Sequence, residues 1–224
     1  MLLVIEGADS TGKETQTKLL SEKFSSKGRP VETIDFPSKT SFFGKLIYEG
    51  LAGKYGDFKS LHPKLASTFW AADRYLAKEK MMAWLNEGKI VIADRYVSAN
   101  QLHQGGKITN EEERQEFLEW LDVMEHHEYG IPRPQKIFYL DLPFEISLRL
   151  LKERKAKQAT SLEGNSNNDQ HEDSPEHQIA ARDSAIKMLS NDSWVRIQCS
   201  DDGTNILPKE VIHGRIWTEC LKLF

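Results

Sequence analysis

Five short apolar runs recur along the chain, separated by segments with helical spacing. In residues 15–27, for example, Leu19, Leu20 and Phe24 fall on one side of a helix, and Gly28 follows as a helix stop. Alternating strands and helices predict an α/β fold, with a five-stranded parallel sheet flanked by helices. The apolar runs have the length of buried strands and cover residues 2–5, 31–36, 90–93, 137–142 and 194–199.

The length of the chain predicts one domain. At 224 residues it is long enough for a single α/β core and too short for two cores with linkers. We therefore expect residues 1–224 to form a single domain. Ligands of parallel sheets bind beyond the carboxyl ends of the strands, so candidate chemistry is sought in the residues that follow each strand.

One stretch differs from the rest in composition. Residues 158–178 are rich in Asn, Asp, Glu, Ser, Gln and His, and contain almost no apolar residue. Such a stretch does not build a core, which predicts a mobile surface loop. Two interpretations stay open: a disordered insertion, or a functional lid over about residues 152–178. We expect the histidines His171, His177, His126 and His127 to be solvated rather than catalytic.

The composition of the chain limits its possible binding partners and its cellular compartment. A formal net charge of −4 gives no sign of a surface that binds a nucleic acid polymer. The cysteines, Cys199 and Cys220, are too few for a disulfide framework or a thiolate metal site, which favours a reducing cytoplasm. Glu6 ends the first apolar run, which is too short for a signal peptide or a membrane span. We expect a cytoplasmic protein without a membrane partner.

The strongest local motif lies between the first strand and the first helix. Residues 7–13, the P-loop, read G-A-D-S-T-G-K and match G-x-x-x-x-G-K in its required context. Gly7 and Gly12 allow the backbone to curl around phosphate oxygens, and Lys13 adds a full positive charge. A structural glycine-rich turn is the alternative. The motif predicts a polyphosphate site, for the ATP donor, formed by Gly7, Ser10, Thr11, Gly12, Lys13, Glu14 and Thr15.

The motif departs from its usual form at one position. Glu14 stands where Ser or Thr normally binds Mg²⁺, and Thr15 follows it. Either Thr15 binds the metal after a slight shift, or water and phosphate hold Mg²⁺ with help from an acidic side chain. Glu14 is equally explained as a favourable acid in the first turn of a helix.

The third strand ends in Asp94, Arg95 and Tyr96. Asp94 would hold Mg²⁺ through water, and the planar fork of Arg95 would grip the phosphate of an acceptor nucleotide. A purely structural Asp–Arg pair is the alternative.

An aromatic residue and a cation lie one helical turn apart at Trp70 and Arg74. Trp70 would stack on a base, and Arg74 would bind a phosphate or a base edge. A packed aromatic side chain beside a surface charge is the alternative.

In their order along the chain, these motifs resemble those of thymidylate kinases over nearly the full length. The resemblance implies the reaction ATP + dTMP → ADP + dTDP, a step towards dTTP, with Mg²⁺. It also implies a nucleoside monophosphate kinase-like P-loop fold with a lid, usually as a homodimer. The matching segments are the P-loop with Thr15-Gln16, Phe36-Pro37, Ala72-Asp73-Arg74, Asp94-Arg95-Tyr96, Gln104-Gly105 and Leu140-Asp141-Leu142.

The resemblance also implies roles for single residues. Asp9 is similar to the residue that accepts a hydrogen bond from the sugar 3′-hydroxyl. Trp70 is similar to a base-stacking Phe, Arg74 to an Arg on the thymine edge, and Arg95 to the phosphate-binding Arg. The other implied substrate residues are Phe36, Lys39, His103 and Gln104.

Two of these positions depart from the family. His103 replaces a usual Tyr, which changes stacking or sugar contacts there. Lys39 lies near a usual Arg and keeps its charge without the bidentate fork.

A catalytic cation is expected from the lid. Some members of the family place an arginine in the P-loop and others supply it from the lid; residues 8–11 contain none. Phosphoryl transfer needs such a charge in the transition state. Arg149 and Arg154 are the candidates, and Arg154 is preferred because it lies closer to the polar stretch. The expected catalytic set is Lys13, Arg95 and Arg154.

Two other functions stay open at this point. A P-loop fixes the donor and says little about the acceptor, so the chain also fits a kinase for another nucleotide or for a deoxynucleoside. A P-loop protein that binds nucleotide with a decayed catalytic site is the second alternative, because of the departures at Glu14, Lys39 and His103.

Overall fold

A single parallel sheet organises the protein, which is described here by a computed structural model. The structure describes residues 1–160 and 174–224, with side chains to residue 156 in the first range. Within these ranges, five strands form the sheet in the order β2-β3-β1-β4-β5, and neighbouring strands are parallel. The strands are β1 (Leu2–Gly7), β2 (Val31–Asp35), β3 (Ile90–Asp94), β4 (Lys136–Asp141) and β5 (Trp194–Gln198).

Helices cover both faces of the sheet. The α-helices in the described ranges are α1 (Lys13–Ser26), α2 (Phe42–Leu51), α3 (Pro63–Asn86), α4 (Val97–His103), α5 (Glu111–Asp122), α6 (Phe144–Thr160), α7 (Pro175–Met188) and α8 (Lys209–Leu221). A 3₁₀ turn (Gly105–Lys107) follows α4, and a π-helical turn (Val123–Glu128) follows α5. The predicted α/β fold with a five-stranded parallel sheet is confirmed.

Alternate residues of the central strand serve the two faces. Leu2 and Val4 pack into the core under α3, α5 and α7, whereas Leu3 and Ile5 pack into the core under α1 and α8. The prediction of five buried strands holds for the middle of the sheet only. β1, β3 and β4 are buried, but β2 and β5 are partly exposed because each is an edge strand with one neighbour.

The predicted surface loop at residues 158–178 is wrong at both ends. α6 continues to residue 160 and α7 begins at Pro175, while residues 161–173, which include His171 and much of the predicted lid, lie outside the described residues. His177 and Gln178 in the first turn of α7 are buried. Polar composition did not show this burial because it depends on hydrogen bonds to distant parts of the chain.

Candidate active site

The P-loop connects β1 to α1 at the carboxyl edge of the sheet. Gly12 and Ser10 both have left-handed backbone angles, with φ of 89° and 60°. The hydroxyl of Thr11 donates to the Ala8 carbonyl at 2.8 Å, and Lys13 Nζ donates to the same oxygen at 2.7 Å. These contacts close a curl rather than an extended segment, as a phosphate cradle requires.

The P-loop opens into one cavity of about 1050 Å³. The residues that line it come from the P-loop, the ends of β2 and β3 with the segments after them, and helices α1, α2, α3, α4 and α6. Most of the predicted site residues are among them: Asp9, Ser10, Gly12, Lys13, Glu14, Thr15, Phe36, Lys39, Trp70, Asp94, Arg95, His103, Gln104 and Arg154. Three predicted site residues are absent from the described lining of the cavity: Gly7, Thr11 and Arg74.

Arg95 lies at the centre of the charged side of this cavity. Its Nη2 donates to Asp9 Oδ1 at 2.5 Å, and its Nη1 lies 3.4 Å from Glu6 Oε1 and 3.0 Å from His103 Nε2. Its backbone is left-handed, with φ of 63°, a conformation that is costly for a side chain of this size. Strained backbone held by several polar contacts is typical of functional sites.

Sequence analysis missed the role of Glu6 beneath this arginine. Glu6 is fully buried, although it was interpreted only as the end of the first apolar run. Its Oε1 accepts from the Gly7 amide at 3.0 Å, and its Oε2 accepts from the Ser98 hydroxyl at 2.7 Å. Glu6 therefore ties the start of the P-loop to α4 and lies beside the Arg95 guanidinium.

The charges in the site perturb one another. Burial raises the pKa of the Asp9 carboxyl, but Arg95 and Lys13 together hold it below its usual range. The pKa of Lys13 is lowered by burial and then by the charge of Arg95. Burial raises the pKa of Asp94, against the opposing effect of Lys13. Two close cations in a partly enclosed cavity favour a polyanionic ligand.

The same cavity contains an aromatic pocket, lined by Phe36 and Trp70. Trp70 is buried and packs against Phe58 with ring centroids 5.7 Å apart, and Phe36 is also buried. Gln104 is buried, and its Oε1 has no hydrogen-bond partner among the described residues. A flat apolar surface and a buried acceptor in one pocket suit a nucleobase with an N–H donor.

Asn100 lines the cavity, and sequence analysis did not single it out. Its Nδ2 donates to the Ser67 carbonyl at 3.2 Å and to Glu125 Oε1 at 3.1 Å. A single Asn in a helix carries no local signal of such a position.

Arg74 does not reach the cavity. It is fully buried, and its Nε and Nη2 donate to the two carboxylate oxygens of Glu125 at 2.6 and 2.5 Å. Its Nη1 donates to the Tyr96 carbonyl at 3.1 Å. The alternative of a surface charge beside Trp70 is therefore wrong, because the guanidinium is wholly enclosed.

Asp73 positions the segment that carries Lys39. Its Oδ2 accepts from the Ser38 amide at 2.8 Å, and its Oδ1 accepts from the Ser41 hydroxyl. Ser41 in turn caps α2 by accepting from the Gly44 amide at 2.8 Å. Lys39 itself is exposed at the edge of the cavity.

The prediction that His177 is solvated is wrong. His177 is buried, and its ring is nearly parallel to that of His103, with centroids 5.2 Å apart and an interplanar angle of 16°. His103 Nδ1 lies 3.2 Å from His177 Nε2. The next residue, Gln178, donates from Nε2 to Asp9 Oδ2 at 3.0 Å. The first turn of α7 therefore contacts the P-loop, which sequence analysis did not foresee.

The predicted solvation of the other described histidines holds for one of them. His127 is exposed, but His126 is partly buried and its Nδ1 bonds to the Ile131 carbonyl at 2.7 Å. Burial lowers the pKa of His126.

The two candidate cations of α6 differ in position. Arg154 is exposed at the edge of the cavity. Arg149 donates from Nη2 to the Thr204 carbonyl at 3.0 Å and is not among the described residues that line the cavity. Of the two, only Arg154 adjoins the site.

The fold and the site together define a P-loop nucleotide kinase. Its sheet has the curled G-x-x-x-x-G-K segment after the central strand, and one cavity joins that segment to a guanidinium and an aromatic pocket.

Comparison with known proteins narrows this class. A family model described as thymidylate kinase matches residues 5–202. A probable thymidylate kinase of Thermococcus kodakarensis is 34% identical over 162 residues, which cover 70% of this chain and 74% of that protein. A thymidylate kinase of Mycobacterium tuberculosis is 33% identical over 135 residues, 60% of this chain and 62% of that protein. The chain belongs to the thymidylate kinase family and is a phosphotransferase.

A solved structure supports the fold. The thymidylate kinase of Candida albicans superimposes with a TM-score of 0.72 and 21% identity, covering 99% of this chain and 91% of that one. Among the helices of the described ranges, none combines the length and apolar character that a bilayer span requires.

Proposed function

We propose that the chain transfers the γ-phosphoryl group of ATP to dTMP, giving ADP and dTDP. One observation carries the proposal: Lys13 of the P-loop and Arg95 line the same cavity as the aromatic pocket of Phe36 and Trp70. A donor polyphosphate and an acceptor nucleotide therefore have complementary surfaces in one space. Phosphoryl transfer depends mainly on such positioning and on charge.

The donor side is assigned to the P-loop and the start of α1. The curled backbone from Gly7 to Gly12 would surround the β- and γ-phosphates, and Lys13 would contribute its charge to them. Ser10, Thr11, Glu14 and Thr15 complete this set.

The acceptor side is assigned to the residues around the aromatic pocket. Trp70 and Phe36 would enclose the base, Gln104 would accept from a base N–H, and Arg95 would bind the phosphate. Asp9 would accept from the sugar 3′-hydroxyl. His103 and Lys39 complete the acceptor set, and Arg74 would act on the base only through its packing beside Asn100 and Glu125.

Mg²⁺ is assigned to the charged side of the cavity. Asp94 and Thr15 both line it, and they offer one carboxylate and one hydroxyl. No cluster of three or more His, Cys, Asp or Glu residues suited to a metal occurs among the described residues. This small donor set fits Mg²⁺, which keeps several waters and takes further ligands from phosphates. When bound, the ion would neutralise charge on the phosphates.

Arg154 is proposed as the catalytic cation, with residues 152–178 as the lid of a single domain that spans residues 1–224. Arg154 lies at the edge of the cavity, on α6, the helix that leads into the polar stretch, and this position supports the catalytic role.

We also infer a cytoplasmic homodimer. Leu65, Tyr75 and Leu76 expose apolar surface on α3, which suits an interface between two copies. The free thiols of Cys199 and Cys220 suit a reducing compartment.

A panel of acceptors tests the activity directly. Purified protein is incubated with ATP, Mg²⁺ and dTMP, dUMP, dCMP, AMP or GMP, and ADP formation is measured. We expect dTMP to be the best acceptor, and equal or higher turnover of another nucleotide would contradict the proposal. Lys13→Ala should lower kcat by about a hundredfold or more, whereas Lys27→Ala, an exposed cation at the far end of α1, should not.

A further inference from the structure

Four polar contacts link the P-loop, the residue that follows β3, and helices α4 and α7 into a closed ring. Arg95 joins Asp9 at 2.5 Å on one side and His103 at 3.0 Å on the other. His103 joins His177 at 3.2 Å, and Gln178 returns to Asp9 at 3.0 Å. His177 and Gln178 are consecutive, so the backbone of α7 closes the ring.

The donors and acceptors of this ring have one consistent assignment. An arginine guanidinium only donates, so His103 Nε2 must accept from Arg95 and carry no proton. A neutral His103 then has its proton on Nδ1, which faces His177 Nε2. His177 Nε2 must therefore accept as well, and both rings are neutral. A proton on His177 Nε2 would oppose the Nδ1–H of His103.

The fold holds α7 firmly enough to impose this geometry. The helix lies so close to the turn after α4 that a Cβ on Gly106 would come within 2.8 Å of the Ala180 carbonyl. Arg114 donates to the Ser184 hydroxyl at 3.0 Å, and that hydroxyl donates to the Gln101 carbonyl at 2.9 Å. His177 therefore contacts His103 from a helix that is itself packed firmly in place.

The surroundings of His177 favour its neutral form. Burial, followed by the charge of Lys107, lowers the pKa of His177 to about 4. Among the charged groups of the described residues, Asp9 favours a proton on His177, whereas Lys107, Lys59 and Arg95 oppose one; His103 lies beside it. The imidazole of His177 is therefore neutral near neutral pH.

We propose that His177 is a positioning residue for Arg95. By accepting from His103 Nδ1, it keeps His103 Nε2 available as an acceptor, and His103 then fixes Arg95 Nη1. His103 therefore holds Nη1 of the guanidinium while Asp9 holds Nη2. This inference rests on the proposed function, because the assignment of Arg95 to the acceptor phosphate is made there.

Two variants of His177 separate positioning from general damage. His177→Gln keeps a side-chain oxygen that can accept from His103, whereas His177→Leu fills the space without an acceptor. We expect His177→Leu to raise KM for dTMP about tenfold, the effect of one lost hydrogen bond, with KM for ATP changed less than about twofold. His177→Gln should restore KM for dTMP to within about threefold of the parent.

A spectroscopic measurement tests the relay without reference to turnover. In the parent protein with ¹⁵N-labelled histidine, the NMR pattern of His103 should be that of a neutral ring with its proton on Nδ1. His177→Leu should shift His103 towards a mixture of tautomers. The control is His213→Leu, a partly buried histidine on α8 away from the cavity, which should change neither the KM nor the tautomer.

The outcomes distinguish this inference from the proposed function. If the parent does not phosphorylate dTMP, the proposed function fails, while the tautomer of His103 still decides whether the relay exists. A proton on His103 Nε2 in the parent would overturn the inference. So would a His177→Leu variant that is folded by thermal unfolding and has the KM and the tautomer of the parent.

Discussion

Arg74 and Glu125 form a fully enclosed, two-pronged ion pair between α3 and the π-helical turn after α5. The pair is linked to the cavity, since Glu125 also accepts from Asn100, which lines it. The wall of the cavity is therefore supported by a buried ion pair. Removing one charge of this pair should lower the stability of the protein more than it lowers the rate of phosphoryl transfer.

Glu125→Ala should lower the free energy of unfolding by about 3–5 kcal/mol, because it leaves the Arg74 guanidinium buried without its carboxylate. Chemical denaturation followed by fluorescence or circular dichroism measures this change. The double variant Arg74→Met with Glu125→Met should be less destabilised than Glu125→Ala, since no charge is then left without its partner.

An exposed pair in the same region provides the control. Asp122 accepts from Arg133 through both carboxylate oxygens, but both side chains reach solvent. Asp122→Ala should cost no more than about 1 kcal/mol. Similar losses for Asp122→Ala and Glu125→Ala would show that burial does not decide the strength of these pairs.

Trp70 should contribute to binding of the acceptor rather than of ATP. Trp70→Ala removes the ring that packs against Phe58 and lines the cavity, and we expect KM for dTMP to rise about tenfold or more. Trp217 packs against Phe24 on α1, and is absent from the cavity lining in the described ranges. Trp217→Ala should lower stability and leave KM unchanged; an equal rise in KM for both variants would argue against stacking.

The elements that sequence analysis predicted are those with local signals. The apolar runs gave the strands within one or two residues at each end, and the P-loop motif located the curl after β1, because glycine positions and apolar periods act over a few residues. The helix predicted at residues 15–27 is observed as α1, followed by Gly28 with φ of 71°.

The parts that sequence analysis did not predict depend on distant partners. Glu125 lies 51 positions from Arg74, and Gln178 lies 169 positions from Asp9. A polar residue is buried only when such a partner satisfies it, and nothing in its neighbouring sequence reports that partner. The sequence therefore did not predict that Arg74 is buried and paired with Glu125. It also did not predict that His177 is buried, because composition assigns its stretch to a loop.

Arg154→Ala should lower kcat by about a hundredfold or more while KM for dTMP changes less than about threefold, because the cation acts on charge that develops in the transition state. Steady-state kinetics with dTMP varied at saturating ATP separates the two constants. Arg149 is the matched control on the same helix, since it is bonded to the Thr204 carbonyl. An unchanged kcat in Arg154→Ala would exclude the role, and an equal loss in Arg149→Ala would point to the helix as a whole.

Stability should fall as the pH is lowered through the range in which His177 gains a proton only in the unfolded chain. Burial lowers the pKa of His177 from its ordinary value of about 6.5 to about 4 in the folded protein. Between these values the unfolded state binds more protons, so the folded state loses stability as the pH falls. The contribution is complete above about pH 6.5 and lost near pH 4, with a size on the order of 3 kcal/mol.

His177→Gln removes this titration and isolates its share. The difference in unfolding free energy, parent minus His177→Gln, measured from about pH 7 to about pH 4.5, should fall as the pH falls. His126, whose pKa is also lowered, adds a slope of the same sign to both proteins and cancels in the difference. Asp9, with its pKa held below the usual range, loses its contribution only at lower pH. Parallel curves for the two proteins would mean that His177 is not buried in its neutral form.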